Sequence, residues 1–170
     1  KLSALHPRFE LAQTDRVRTE LVARVLELAE LAREHNIGLT IDAEEAQRLD
    51  ITLEVFEAVF TDARLSGWEG LGIVVQAYQK CAPALIDWLA ALSTRRGRRI
   101  MVRLVKGAYW DAEIKHAQTL GLGAYPVFTR KASTDVSWLV CAGRLLARRE
   151  HLYPQFATHN AHSAAAVLAL

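Results

Sequence analysis

The sequence has no stretch approaching the roughly 20 consecutive apolar residues that a membrane-spanning helix needs. No secretory leader is visible at its start. Cysteine is scarce. Cys81 and Cys141 stand far apart, without CxxC or metal-ligand spacing, and read as two reduced intracellular thiols. The formal net charge of +2 is too small to argue for a nucleic-acid partner. Arg95, Arg96, Arg98 and Arg99 do cluster around Gly97, but they read as a solvated helix end ahead of a strand. Neither GxGxxG after the first strand nor GxxxxGK[ST] anywhere is present, so the two common nucleotide-phosphate loops are absent. Ser3, Ser66 and Cys141 have no neighbouring base or GxSxG context, which leaves nucleophilic catalysis little support. His159 and His162 form HxxH, but no third ligand stands at suggestive spacing, so no metal is expected.

What remains is an ordinary globular composition, 51% hydrophobic and 24% charged over 170 residues, large enough for one core. The first residue is not Met and the last lies inside an apolar helical run, so the sequence reads as a piece of something longer. Lys1 to Leu5 reads as the end of a strand, stopped by His6-Pro7. Val17, Leu21, Val25, Leu28 and Ala32 fall at three- and four-residue steps and predict a helix over Thr14–Glu34. Leu39 to Asp42 predicts a strand. Glu44 to Ala63 predicts a helix in two pieces, broken near Asp50-Ile51-Thr52, with Thr52 a candidate cap and Glu44-Glu45 solvated acids. Ile73-Val74-Val75-Gln76 is a continuous apolar run typical of a parallel strand buried on both faces. A helix follows from Pro83 to Thr94, with Pro83 tolerated in its first turn.

Arg98 to Val105 predicts another strand, then Trp110 to Leu120 a helix. Tyr125 to Lys131 reads as a loop or short extra strand, Ser133 to Arg149 as a helix with Asp135 in its first turn, and Tyr153 to Thr158 as a last strand. His159-Asn160-Ala161-His162 turns that strand into a terminal helix. Trp68 and Trp88 read as packing residues, Tyr78 and Trp110 as possible core, and Tyr109 as a pocket edge. Strand and helix alternate five times, which argues an α/β fold with a parallel sheet. An open doubly wound sheet and a (β/α)8 barrel both fit. A full barrel takes about 250 residues, so the favoured reading is a partial barrel of about five consecutive βα units.

Each apolar strand ends in a polar residue: Asp42, Gln76, Arg103 with Lys106, and Thr158 with His159. In parallel α/β folds the carboxyl ends of strands carry the site. One polar end has a plain explanation, since Asp42 ahead of Ala43-Glu44-Glu45 suits a helix N-cap. Four in succession point to a shared site. The richest stretch is RLVKGAYWD, 103–111. Alternation puts Met101, Arg103 and Val105 on one face, and a guanidinium there needs an anionic or acceptor-rich partner. Gly107 permits close backbone approach, and Tyr109 and Trp110 supply flat apolar surfaces.

KLSALHPRF (1–9), IDAEEAQRLD (41–50), VVQAYQK (74–80), RLVKGAYWDAEIK (103–115), YPVFTRKASTDVS (125–137) and YPQFATHNAH (153–162) resemble, in order, the proline dehydrogenase domain of bacterial PutA-type proteins. The resemblance covers nearly the whole sequence. It implies a distorted (β/α)8 barrel holding FAD at its strand ends, of which residues 1–170 are the central part, incomplete at both ends. It further implies oxidation of L-proline to Δ1-pyrroline-5-carboxylate by hydride transfer to flavin N5, the first step toward glutamate. The implied electron acceptor is a membrane quinone, with a cytoplasmic protein meeting the inner membrane during turnover. A fused pyrroline-5-carboxylate (aldehyde) dehydrogenase is favoured, and no nucleic-acid contact is expected from this segment.

Arg103 matches the arginine near flavin N5. Gln76 and Val105 match residues lining the isoalloxazine, and Lys106, Gly107, Ala108 and Trp110 the segment along the FAD chain. Thr129, Arg130 and Lys131 match a stretch near the pyrophosphate and adenosine. Thr158, His159 and Asn160 match the stretch closing over the cofactor. Lys1, Asp42 and Tyr109 match the substrate side, Lys1 facing the proline carboxylate, with Asp42 counted among the cofactor contacts and Lys1, Asp42 and Arg103 as the catalytic set. The family's last strands supply an arginine pair for that carboxylate and lie outside residues 1–170, so this piece alone is expected to bind proline poorly and turn over little. The rival readings are another barrel enzyme with a phosphate-bearing ligand, clamped by Arg103 and Lys106, and a non-enzymatic docking segment.

Overall fold

The computed structural model describes all of residues 1–170. After a 3-10 turn at Leu2–Ala4 and another at Leu11–Gln13, the chain alternates helices and strands. They are α1 (Thr14–Glu34), β1 (Leu39–Ile41), α2 (Leu49–Thr61), β2 (Leu71–Gln76), α3 (Ala82–Arg96) and β3 (Ile100–Val105). Then come α4 (Trp110–Thr119), α5 (Lys131–Ala147), β4 (Leu152–Phe156) and α6 (Ala161–Ala169). The four strands form one parallel sheet in sequence order, β1-β2-β3-β4. That is the α/β arrangement expected, and it is consistent with part of a barrel wall.

The opening segment corrects the expectation of five strands. Lys1 to Leu5 is not a strand: Leu2–Ala4 is a 3-10 turn, with Leu2 buried in the core. Five residues ahead of His6-Pro7 hold one core leucine but pair with no neighbouring strand. The second helix also differs. A 3-10 turn at Ala46–Arg48 precedes α2, which begins at Leu49, so Thr52 lies inside it. Its hydroxyl donates back to the Arg48 carbonyl at 2.8 Å instead of capping a helix start. In α1 the bounds are as expected, but Leu28 is exposed, while Leu26 and Ala29 complete the buried stripe. The fifth helix starts at Lys131, two residues before Ser133.

Strand pleating decides which residues meet the core and which meet the site. Ile100, Val102 and Leu104 of β3 are buried, alternating with the half-buried Met101, Arg103 and Val105. β2 is buried at all six positions. Leu71, Ile73 and Val75 join the core with Leu85, Ile86 and Leu89 of α3 and Trp138, Cys141 and Leu145 of α5. α5 also packs on α3, β3 and β4. On the opposite face Val74 pairs with Arg103, and Arg103 with Gln155.

The arginine cluster divides. α3 ends at Gly97, whose left-handed φ of 60° suits glycine, and Arg95, Arg96 and Arg99 are exposed as expected. Arg98 is not solvated: at 8% exposure it donates to the Leu65 and Phe60 carbonyls and stacks 4.0 Å from the Phe60 ring centroid. Those carbonyls close the end of α2 and the turn after it, and the guanidinium satisfies both. No helix is long and apolar enough to cross a membrane.

Candidate active site at the strand ends

Four parallel strands deliver their carboxyl ends to one edge of the sheet, and the segments after them enclose a cavity of about 910 Å³. Asp42, Gln76, Val105 with Lys106, and Thr158 with His159 all line it. Lys1 reaches it from the opening turn and Lys131 from the start of α5. Residues separated by most of the sequence meet here because each follows a strand of the same sheet.

Ile41 pairs with Ile73, so the next residue, Asp42, lies level with Val74, which pairs with Arg103. Asp42 and Arg103 therefore flank Val74 in one row. The Arg103 Nη2 donates to Asp42 Oδ1 at 3.1 Å. That carboxylate is the partner which a guanidinium beside Met101 and Val105 requires. It also corrects the N-cap reading of Asp42, whose side chain faces Arg103 and the adjacent Ala43 N–H. Both side chains stay about 40% and 39% exposed, so the remaining guanidinium N–H groups can serve a ligand.

The Lys1 ammonium donates to the Tyr109 hydroxyl and lies 5.0 Å from the centroid of its ring. That hydrogen bond, with Coulombic help from Asp42 and Glu44, raises the Lys1 pKa above an ordinary value that already leaves the ammonium charged at neutral pH. Glu44 anchors the segment that carries Lys1. Its Oε1 accepts the Ser3 N–H at 2.9 Å and its Oε2 accepts from Arg48 at 2.7 Å. It is thus buried rather than a solvated acid. Burial alone would raise its pKa, but the Ser3 and Arg48 hydrogen bonds outweigh that and hold it below the usual value.

Gln76 is also buried. Its Nε2 donates to the Glu44 carbonyl at 2.9 Å, and its Oε1 accepts the Ala108 N–H at 3.2 Å. One amide thereby ties the loop after β1 to the loop after β3. Lys106 and Lys131 converge on Asp135, at 2.6 Å to Oδ1 and 2.7 Å to Oδ2. Their hydrogen bonds, Lys106 first, hold the Asp135 pKa below the usual carboxylate range. Both lysines, with Gly107, also border a second cavity of about 410 Å³ that adds Trp110 and Thr129. Trp110 is 44% exposed rather than core, and its indole N–H donates to the Phe128 carbonyl at 3.0 Å. Tyr78 is fully packed, and Tyr109 stands at the cavity edge.

Gly107 lies at φ 142°, and a Cβ there would sit 2.4 Å from Tyr78 Cγ. Only glycine lets this turn rest on the ring. Asn160 caps α6 by accepting the Ser163 N–H at 2.9 Å, and its own N–H donates to Thr158 Oγ1 at 3.0 Å.

Of the residues singled out by sequence, Ala108 also lines the larger cavity, and Arg103 joins it through Asp42. Arg130 does not line either cavity: it precedes α5 and is exposed. Three contributors were not legible in the sequence in these roles: Glu44, Tyr78 and Asp135. Only the spacing of Lys131 and Asp135, four apart in a helix, gave a sign; the others depend on tertiary approach alone.

A family model described as proline dehydrogenase matches residues 2–170. The chain is 58% identical over 170 residues to a bifunctional protein PutA of Klebsiella aerogenes, covering all of this chain and 13% of that protein. It is 59% identical over 167 residues to the bifunctional protein PutA of Salmonella typhimurium, covering 98% of this chain and again 13% of the relative. Among solved structures, a mutant of Bradyrhizobium japonicum proline utilization A superposes with a TM-score of 0.97 at 56% identity, over 98% of this chain and 17% of that one. Proline utilization A from Bdellovibrio bacteriovorus, inactivated by N-propargylglycine, gives 0.94 at 32% identity over the same shares. The chain thus spans about 13% of the length of the curated relatives it matches.

Proposed function

The chain belongs to the proline dehydrogenase family, and from that premise we propose that its strand-end cavity binds FAD and serves the oxidation of L-proline to Δ1-pyrroline-5-carboxylate. The observation that carries this reading is the charge layout of the cavity. An Arg103–Asp42 pair lies across the sheet face, and two lysines converge on the wall shared with the second cavity. The donor set suits an elongated ligand with a ring that gains negative charge on reduction and a diphosphate further along. The two adjoining cavities, about 910 and 410 Å³, have room for it.

When bound, FAD would accept a hydride from the proline carbon and pass the electrons on to a quinone. This chain's residues bind and polarise. Arg103, fixed by Asp42, presents guanidinium N–H groups where negative charge develops. Lys106 and Lys131 offer cations to the diphosphate once Asp135 shares them. Trp110, Gly107, Ala108 and the buried Gln76 support the intervening segment. Val105 and Thr158 to Asn160 line the cavity around the ring, and Thr129 lies toward the adenosine. Lys1, positioned by its hydrogen bond to Tyr109, offers a cation to the substrate carboxylate.

In the same reading, residues 1–170 form the central part of a proline dehydrogenase barrel completed by further chain. Within the longer protein a fused pyrroline-5-carboxylate dehydrogenase would finish the oxidation. A cytoplasmic protein meeting the membrane peripherally would reach the quinone.

The test is the visible absorption spectrum of the longest natural polypeptide containing these residues, before and after anaerobic L-proline. Flavin bands that bleach with proline are expected, and Arg103→Met should retain fold while losing most of the bleaching rate. Well-folded protein that takes up no added FAD would overturn the reading. Flavin indifferent to proline would keep the cofactor and discard the substrate.

A further inference from the structure

Glu113 is a carboxylate buried to 3% exposure on the inner side of α4, one turn beyond Tyr109. Its Oε1 accepts the Ala46 N–H at 2.6 Å and the Tyr78 hydroxyl at 3.4 Å. Its own N–H donates to the Tyr109 carbonyl at 2.9 Å. Ala46 follows β1 and Asp42; Tyr78 follows β2; Tyr109 follows β3. The side chain therefore touches the segments after β1 and β2, while the backbone of the same residue holds to the segment after β3 through the first turn of α4. The short bond to Ala46 fixes the first segment, and the longer one orients the Tyr78 ring.

Tyr78 passes that constraint on. Its N–H donates to the Lys106 carbonyl at 2.8 Å, and its carbonyl accepts the Phe128 N–H at 2.8 Å. Its ring is the floor on which Gly107 rests. A shift of this ring moves the Lys106–Gly107 turn and the segment leading to Thr129 together. Burial raises the Glu113 carboxyl pKa, against the hydrogen bonds from Ala46 and Tyr78. A costly buried acid at this junction calls for a role.

We propose that Glu113 is a positioning residue. Through Ala46 and Tyr78 it holds the Asp42 segment and the Lys106–Gly107 turn in the relative placement that the flavin requires. Glu113 touches neither substrate nor flavin in this account, which rests on the flavin reading above.

The experiment uses the full natural polypeptide, stripped of flavin and titrated with FAD by flavin fluorescence quenching. Glu113→Gln keeps an acceptor oxygen for Ala46 and Tyr78; Glu113→Ala keeps none. Glu113→Ala should weaken FAD binding about tenfold, the order of one lost buried hydrogen bond. Glu113→Gln should return to within about threefold of wild type, since the acceptor survives without the charge. Tyr78→Phe should fall between them, with a shifted visible spectrum of the bound flavin. A folded Glu113→Ala protein that binds FAD as wild type does would overturn the proposal. So would Glu113→Gln binding as poorly as Glu113→Ala, because the acceptor would then be irrelevant. Should Glu113→Ala fail to fold, Tyr78→Phe decides, and unchanged affinity and spectrum there refute the role. A wild-type polypeptide that takes up no FAD would instead sink the flavin reading itself, before any variant is compared.

Discussion

Adding one methyl group at Gly107 is the sharpest perturbation this site offers. The new Cβ would lie 2.4 Å from Tyr78 Cγ and 2.6 Å from both Cδ atoms, well inside van der Waals contact. The ring cannot swing aside freely, because Tyr78 is 2% exposed and bonded through its backbone to Lys106 and Phe128. Two penalties combine. Overpacking a filled site costs about 1–3 kcal/mol, and a φ of 142° costs an L-residue about 1–3 kcal/mol more. Gly107→Ala should therefore destabilise by about 2–6 kcal/mol. A double-mutant cycle separates the parts. Tyr78→Ala removes the clash and leaves the backbone strain, so Gly107→Ala should cost about 1–3 kcal/mol less in that background. The assay is urea-dependent pulse proteolysis of the full polypeptide, with cleavage in this segment assigned by fragment mass. Gly107→Ala within about 0.5 kcal/mol of wild type would refute the reasoning. A cycle with no coupling would show that the clash is relieved by backbone movement, and that the ring is not the constraint.

Arg98→Met should destabilise the fold by about 2–4 kcal/mol in denaturant titration, since it strands the Phe60 carbonyl, leaves the Leu65 carbonyl only the Trp68 N–H, and removes the stack on Phe60. The relieved desolvation of the guanidinium, whose pKa burial lowers, offsets part of that loss. A change below about 0.5 kcal/mol would show that water replaces the arginine. Glu44→Gln concerns pH. A carboxyl held below its usual 4.5 contributes stability that is present above the unfolded pKa and lost as pH falls through the folded value. Wild type should thus be the more stable of the two at pH 7. The gap should close as pH drops below the unfolded carboxylate pKa of about 4.3. Parallel stability curves across that range would exclude Glu44 as the source.

Local pattern determined much of this protein. The period of Val17, Leu21 and Val25 set α1, and the run Ile73-Val74-Val75-Gln76 marked a strand covered on both faces. Each strand's polar end announced a site because parallel strands must all finish on the same side. Those features depend on neighbours in sequence, so sequence carries them. Lys1 to Leu5 failed as a strand because an apolar pentapeptide fits either state, and only a pairing partner decides between them. Arg98 looked like three other arginines at a helix end; its burial depends on two carbonyls more than thirty residues earlier. Glu44 looked like a solvated helix-turn acid, and nothing in the sequence singled out Glu113, until the opening turn, the β1 loop and Tyr78 closed on them. Sequence could mark which residues end the strands. Which carboxylates join those ends was settled by packing, because a hydrogen bond between distant segments leaves no periodic trace in either one.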